Sequence, residues 1–264
     1  MTTTDRTTDS PTGLADRLRH RLQPRRLREQ QVEAAAQQQV ERAEARLTGA
    51  RARGTTLRDA WQQFWRHPSP RIILTALVGG VTARIVVGGY HLTDLWLPLV
   101  MLASFPLVEW VVHVFVLHYR PVEVAGRTID TRLARDHRAH HADPRDLPLV
   151  FIPWQTFLWL FPVLLAVALL AFDRLGLGLT YFAMLAAIGM AYEWAHYLIH
   201  SDYKPRTSAY RAIWRNHRLH HYKNENYWFT VTTTNTADRL LRTCPDPADV
   251  PSSPTAKDLL GTGG

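Results

Sequence analysis

Glu193-Trp194-Ala195-His196-Tyr197-Leu198-Ile199-His200 closes a long apolar run, and His217-Arg218-Leu219-His220-His221 follows in the next segment. The same order occurs earlier in the chain: Glu109-Trp110 precedes His113 and His118, and His137-Arg138-Ala139-His140-His141 comes next. His137, His140 and His141 map onto His217, His220 and His221 with a constant offset of 80, so the chain carries two copies of one pattern. Ten of the 13 histidines fall in these four clusters. Neutral imidazole is the commonest metal ligand among side chains, and histidines gathered at the ends of apolar segments point to a metal site at a membrane surface rather than to packing.

The apolar segments around the clusters set the architecture. Residues 72–90, 95–117, 149–172 and 175–199 each approach or exceed the length needed to cross a hydrocarbon core. Arg84 interrupts the first, and is expected either to snorkel outward or to face a polar interior. The short links 91–94 and 173–176 would join the segments into two helical hairpins. Basic residues crowd the amino-terminal arm and residues 120–145 and 204–242, whereas the two links hold only Arg174. By the positive-inside rule the arm, the middle loop and the tail are cytoplasmic, and so are the histidine clusters. The predicted fold is therefore an all-α integral membrane protein: four transmembrane helices in two hairpins, with a cytoplasmic helical cap carrying a histidine-rich dimetal site. Both termini are placed in the cytoplasm, and the preference for Arg over Lys suggests a bacterial plasma membrane.

Four regions follow. Residues 1–26 are polar and expected to be disordered. Residues 27–70 should form cytoplasmic and interfacial amphipathic helices: Leu57, Trp61, Phe64 and Trp65 recur at helical spacing, Thr56 and Asp59 are placed as a cap, and Pro68 and Pro70 end the run. Residues 71–243 form the membrane domain, and residues 244–264 read as a flexible tail. A net charge of +8 admits a nucleic-acid partner, but the arginines flank apolar spans and no nucleic-acid signature accompanies them, which excludes that class. Residues 1–26 are too polar to be expected to act as a signal peptide. The one cysteine, Cys244, excludes a disulfide framework and a thiolate metal cluster. Any metal rests on nitrogen and oxygen ligands.

On a helix, residues at i, i+3 and i+4 share a face, so each H-x-x-H-H run presents three imidazoles together. His196 and His200 likewise align. His113 and His118 are five apart and need a helix end, a bulge or a bridging arrangement. The candidate ligands are His113, His118, His137, His140, His141, His196, His200, His217, His220 and His221, enough for two metals with about five ligands each. An all-imidazole set suits iron, copper, zinc or nickel, and argues against magnesium and calcium. Two irons best explain so large a set beside a membrane, because oxygen activation needs redox-active metals with open positions, whereas structural zinc needs four closed ligands. Zinc remains a possible substitute metal.

Glu109 and Glu193 each share a face with the histidine that follows. A metal-bound imidazole commonly donates its outer N–H to a carboxylate, and these two are candidates for that role. Direct ligation and pairing with an arginine are the alternatives. Asp136 and Asn216 precede their clusters and are read as helix caps. His20, His67 and His91 stand alone and are read as ordinary surface or core residues.

These residues resemble the fatty acid hydroxylase and sterol desaturase superfamily of membrane di-iron enzymes. The resemblance covers about residues 95–243: H-x-x-x-x-H, H-x-x-H-H, H-x-x-x-H and H-x-x-H-H occur in the family's order, with spacing most like that of the fatty acid 2-hydroxylases. It implies that the ten histidines hold two irons, which activate dioxygen to insert one oxygen atom into a lipid C–H bond. Two positions depart from the pattern. Trp228 follows Asn226-Tyr227 where the family often has Gly, and Arg242 replaces Gly in Asp238-Arg239-Leu240-Leu241-Arg242-Thr243. The chain shows neither the His-Pro-Gly-Gly element of a fused cytochrome b5 domain nor a ferredoxin cysteine pattern. Electrons are expected from a separate carrier such as a ferredoxin or a cytochrome b5-like protein, drawn to the basic surface. The substrate is a lipid of fatty acyl, sterol or carotenoid type. A desaturase on the same site, or a non-catalytic membrane metal-binding or transport protein, are the competing readings.

Overall fold

A computed structural model describes residues 55–261, so the arm over 1–26 and the helix expected over 27–53 lie outside the described residues. α1 (Leu57–Phe64) begins at the expected cap. The Thr56 hydroxyl accepts from the Asp59 amide at 3.1 Å, and the Asp59 carboxylate accepts from the Thr56 amide at 3.0 Å. This reciprocal pair satisfies two donors that the first turn leaves open. α2 (Pro68–Val87) starts on a proline, whose missing N–H costs nothing at that position.

A 3-10 turn (Leu92–Leu95) leads to α3 (Trp96–Val112), which passes directly into one π-helical turn (His113–Leu117). Residues 120–131 hold a small hairpin that the sequence reading missed: β1 (Val122–Val124) pairs antiparallel with β2 (Arg127–Ile129). Its two-residue turn, Ala125-Gly126, has φ of 51° and 74°, the left-handed pair that matches strand twist. Then come α4 (Arg132–Ala142), α5 (Leu147–Val150), α6 (Phe157–Leu170), α7 (Leu175–His200), α8 (Ser208–Tyr222) and α9 (Thr236–Leu240).

Among the described residues, four helical segments are long and apolar enough to cross a membrane, Pro68–Val87, Leu92–Leu117, Leu147–Leu170 and Leu175–His200. Their outer faces stay apolar. Val86 is 79% exposed and Leu170 84%, a surface suited to lipid and not to water. α7 is the central helix. α2 packs chiefly along α7, and α6 and α3 pack on it as well. Small residues permit the close approaches: a Cβ on Gly178 would fall 1.7 Å from the Ala168 carbonyl oxygen, and one on Gly80 would fall 3.0 Å from the Phe182 ring.

Arg84 faces inward. It donates to Thr180 Oγ1 at 3.0 Å and pairs with the buried Asp94 at 3.5 Å, while Arg174 pairs with the same carboxylate. The two short links therefore meet in one charged knot at the end of the helices away from the histidines. At the histidine end, Phe64 packs against Phe151, Trp194 and Tyr197 with ring separations of 5.8, 4.9 and 5.6 Å. Burial of a ring of this size is worth about 1.5–3 kcal/mol, so α1 is fastened to the segment that carries His196 and His200.

Residues 244–261, read as a flexible tail, instead form a strap along α8. The Ser253 amide donates to the Lys223 carbonyl at 2.7 Å, and the Ser253 and Thr255 hydroxyls donate to Glu225 at 3.0 and 2.6 Å. Val250, Ala256 and Leu259 are buried beneath it. Composition suggests a flexible tail; the backbone donors and acceptors just after α8 supply the partners that composition does not reveal.

Candidate metal centre

All ten predicted histidines come together at one end of the bundle, in two sets of five. His113, His118, His137, His141 and His220 form the first; His140, His196, His200, His217 and His221 form the second. Within each set one ring nitrogen per residue lies within 4.8 Å of every other. The sets abut, the rings of His141 and His221 being 4.2 Å apart. Each set draws four members from one half of the chain and one from the other.

The local folding explains each placement. The spacing of five between His113 and His118 is solved by the π-turn: the His118 amide donates to the His113 carbonyl at 3.0 Å, an i to i+5 bond that brings the rings to 5.0 Å. His196 and His200 lie one turn apart near the end of α7, with rings 4.9 Å apart. α4 and α8 begin earlier than the sequence reading placed them. Their caps are Thr131 and Thr207, whose hydroxyls accept from Ala134 and Tyr210 amides at 3.2 Å. Asp136 and Asn216, read as caps, lie inside these helices, where Asp136 pairs with Arg132 at 3.4 Å and Asn216 is buried. Of the lone histidines, His67 stacks on Phe151 at 3.9 Å and His91 precedes the 3-10 turn; His20 lies outside the described residues.

The donor atoms fit a pair of first-row cations. Nε2 atoms of His113 and His220 are 3.1 Å apart, those of His140 and His200 3.2 Å, and those of His217 are 3.0 Å from both His200 and His221. Imidazole ligands at about 2.0–2.1 Å from a metal subtend edges of about 2.9 Å at a right angle and about 3.4 Å at a tetrahedral angle. The observed spacings fall between these limits. Nε2 of His118, His137, His141 and His196 are buried with no hydrogen-bond partner, which in a close-packed interior marks a site meant to be filled.

Outer nitrogens fix some of the rings. His141 Nδ1 donates to the Ala256 carbonyl at 3.0 Å and His220 Nδ1 to the Tyr227 carbonyl at 2.8 Å, leaving each Nε2 lone pair inward. Burial holds His137, His140, His217, His220 and His221 well below the ordinary histidine range, with repulsion among neighbouring imidazoles adding to it. Burial pushes His141 down to about 4, against the opposing effects of the Ala256 carbonyl and Glu225. Neutral imidazole, the form that binds metal, is thereby favoured.

Neither glutamate hydrogen-bonds to a histidine among the described residues. Glu109 Oε1 accepts from the Val231 and Thr232 amides, both at 2.8 Å, and from the Thr232 hydroxyl at 3.0 Å. Glu193 Oε1 accepts from the Ile152 amide at 3.0 Å and the Ser69 hydroxyl at 2.8 Å. Each carboxylate thus pins a loop.

Asp238 holds the same loop as Glu109. It accepts from the Phe229 and Thr230 amides at 2.9 Å, and its other partners include the Thr243 hydroxyl at 2.7 Å. The sequence showed the Asp238–Thr243 element but not its role as an anchor. The two departures within these motifs meet here: the Trp228 amide donates to the Thr243 carbonyl at 2.8 Å, and Trp228 and Arg242 have φ of 56° and 59°. Both occupy left-handed positions, where glycine costs least.

A small cavity of about 40 Å³ reaches both sets. His137 and His196 line it with Leu117, Ile152, Pro153 and Tyr192.

The chain matches the fatty acid hydroxylase family over residues 98–243. No curated protein matches it. A solved structure described as full-length Scs7p, with only its hydroxylase domain visible, shares the fold at a TM-score of 0.57 and 23% identity, covering 70% of this chain and 68% of that one.

Proposed function

The chain belongs to the fatty acid hydroxylase family, and from that premise we propose that it is a membrane-bound di-iron oxygenase that hydroxylates a lipid C–H bond. The observation that carries the reading is the pair of abutting five-imidazole sets at one end of four membrane-length helices. Ten neutral nitrogens in two adjoining pockets exceed what a closed structural zinc site uses, and they suit two redox metals with positions left for small ligands. When bound, two irons would supply reductive activation of dioxygen and transfer of one oxygen atom to carbon. The same reading makes the four helices two hairpins, with the histidine end and both termini in the cytoplasm.

The protein's own part is placement and exclusion of water. The cavity beside His137 and His196 has apolar walls from Leu117, Ile152 and Pro153, a surface that takes a methylene chain and rejects water. The Ile152 wall is held by Glu193, and the Phe229–Thr232 loop by Glu109 and Asp238. At about 40 Å³ the cavity has room for little more than a water or two, so the wall must give way for a chain to enter. Electrons come from a separate carrier protein.

Mass spectrometry of total lipids from cells with and without the gene, beside a His217→Ala control, tests reaction and substrate together. A lipid gaining one oxygen only with the unaltered gene is the expected result. A lipid losing two hydrogens instead would make the protein a desaturase, and an unchanged lipid profile would contradict the enzyme reading.

A further inference from the structure

α4 and α8 are matching helices of the two halves, each carrying one H-x-x-H-H cluster on its inner side, yet they differ in charge balance. On α4, Arg132 lies 3.4 Å from Asp136, Arg138 lies 2.6 Å from Asp130, and Arg135 lies 3.8 Å from Asp130. Every arginine there has a carboxylate. Residues 203–223, which include α8, hold six cations, Lys204, Arg206, Arg211, Arg215, Arg218 and Lys223, and no Asp or Glu. None of the six forms an ion pair among the described residues. In a chain built on one repeated pattern, the paired helix serves as an internal control for the unpaired one.

A cleft of about 440 Å³ opens on this face, lined by Trp214, Arg215, Arg218, Tyr222, Lys223 and Ser252. The Arg218 guanidinium lies 4.6 Å from the Trp214 ring centre and 5.1 Å from that of Tyr222, and Lys257 lies 5.8 Å from the Tyr222 ring. Held between two rings, Arg218 keeps its planar N–H edge free for a carboxylate. Trp214 is half-buried within the cleft and does not project as a bilayer anchor would. His217, His220 and His221 occupy the inner side of the same helix, so cleft and metal centre are separated by about one helix diameter, roughly 10–12 Å.

We propose that this cleft is the docking point for the acidic face of the one-electron carrier protein, an inference that rests on the redox reading of the histidine site. Unpaired, pre-oriented cations steer an acidic partner and fix its register, and the ring floor supplies dry contact area at the centre. The position places the carrier across α8 from His217, His220 and His221.

The test uses the full-length, metal-loaded protein in nanodiscs of zwitterionic lipid, titrated at low and high salt with a plant-type [2Fe–2S] ferredoxin and, separately, with cytochrome b5. Arg215→Glu/Arg218→Glu is compared with the wild type and with Arg132→Glu/Arg135→Glu on α4 as the matched charge control. The α8 pair should weaken binding of at least one carrier about tenfold or more and flatten its salt dependence, the α4 pair should stay within about twofold, and bound metal should match in all three. Equal weakening by both pairs, no weakening by the α8 pair, or no binding of either carrier to the wild type would overturn the proposal. So would a loss seen only when phosphatidylglycerol is included in the nanodiscs in a parallel titration, which would make the cleft a membrane contact. Product formation by the wild type with a chemical reductant tests the hydroxylase reading separately: its absence beside cleft-dependent carrier binding overturns that reading alone, and its presence beside cleft-independent binding overturns the docking site alone.

Discussion

His140 Nε2 lies 3.2 Å from His200 Nε2, although 60 residues separate the two and they belong to different halves of the chain. His113 and His220 make the reciprocal contact at 3.1 Å, 107 residues apart. Helix geometry explains the exchange. In H-x-x-H-H the first and last histidines differ by about 40° around the axis, while the middle one is turned about 100° from the last. His137 with His141, and His217 with His221, therefore stay in one set, and His140 and His220 cross to the other. Neither half completes a site alone.

Metal-loss phenotypes should therefore group by set and not by half. His140→Ala should resemble His217→Ala in its residual iron and in the spectrum of what remains, and His220→Ala should resemble His137→Ala. Each should lose roughly half of the bound iron, one of the two pockets being impaired. Iron analysis with Mössbauer spectra of the four variants checks this; grouping of His140→Ala with His137→Ala would contradict the crossed arrangement.

Glu109 holds a loop and not a histidine, so its removal should act first on that loop. Glu109→Ala leaves the Val231 and Thr232 amides without their acceptor, and a hydrogen bond within a protein is worth about 0.5–1.5 kcal/mol. Hydrogen exchange on the metal-free protein should show faster exchange at both amides, with Glu109→Gln largely restoring protection. Unchanged exchange in Glu109→Ala would show that the carboxylate does not anchor the loop.

Acid should destabilise the metal-free fold. In the unfolded chain these imidazoles take up protons near pH 6.5, whereas His137, His140, His141, His217 and His221 are held neutral below that value in the fold. Below pH 6.5 the unfolded state thus binds more protons, and stability present above that pH is lost as pH falls towards the folded values. His141 alone, held at about 4, would contribute a loss of about 2 kcal/mol by pH 5. The Tm of metal-free protein should fall between pH 7 and pH 5. A flat profile would show that the cluster does not resist protonation.

Arg242 is an exposed residue in a left-handed conformation, with φ of 59°. Arg242→Gly should be neutral to stabilising by up to about 1 kcal/mol, the relief of strain being partly offset by the greater freedom of glycine in the unfolded chain. Trp228 shares the backbone conformation but is buried, so Trp228→Gly should destabilise by about 2–4 kcal/mol as the lost ring outweighs the relieved strain. Thermal unfolding of both variants in detergent reads the two signs. Destabilisation by Arg242→Gly would mean that the arginine side chain has a role that its exposure hides.

The spans, the ten clustered histidines and the Thr56 cap were legible because each rests on local spacing: runs of apolar residues, helical periodicity, and a capping pair three apart. What sequence hid was set by distant partners. The crossing of His140 and His220 depends on how α4 and α8 are turned against each other, and the attachment of Glu109 to Val231 spans 122 residues. Asp136 and Asn216 stand closer to the clusters than Thr131 and Thr207, and only the folded chain shows that the helices begin at the threonines. The strap over residues 244–261 was unreadable for a different reason. Its Pro, Ser and Thr residues bury little by themselves, and its order comes from Lys223, Asn224 and Glu225.

Anomalous diffraction at the iron edge from crystals of the iron-loaded protein tests the crossed two-metal assignment most directly. Two peaks are expected, one enclosed by His113, His118, His137, His141 and His220, the other by His140, His196, His200, His217 and His221. A single peak, or two peaks with His140 and His220 each returned to its own half, would contradict it.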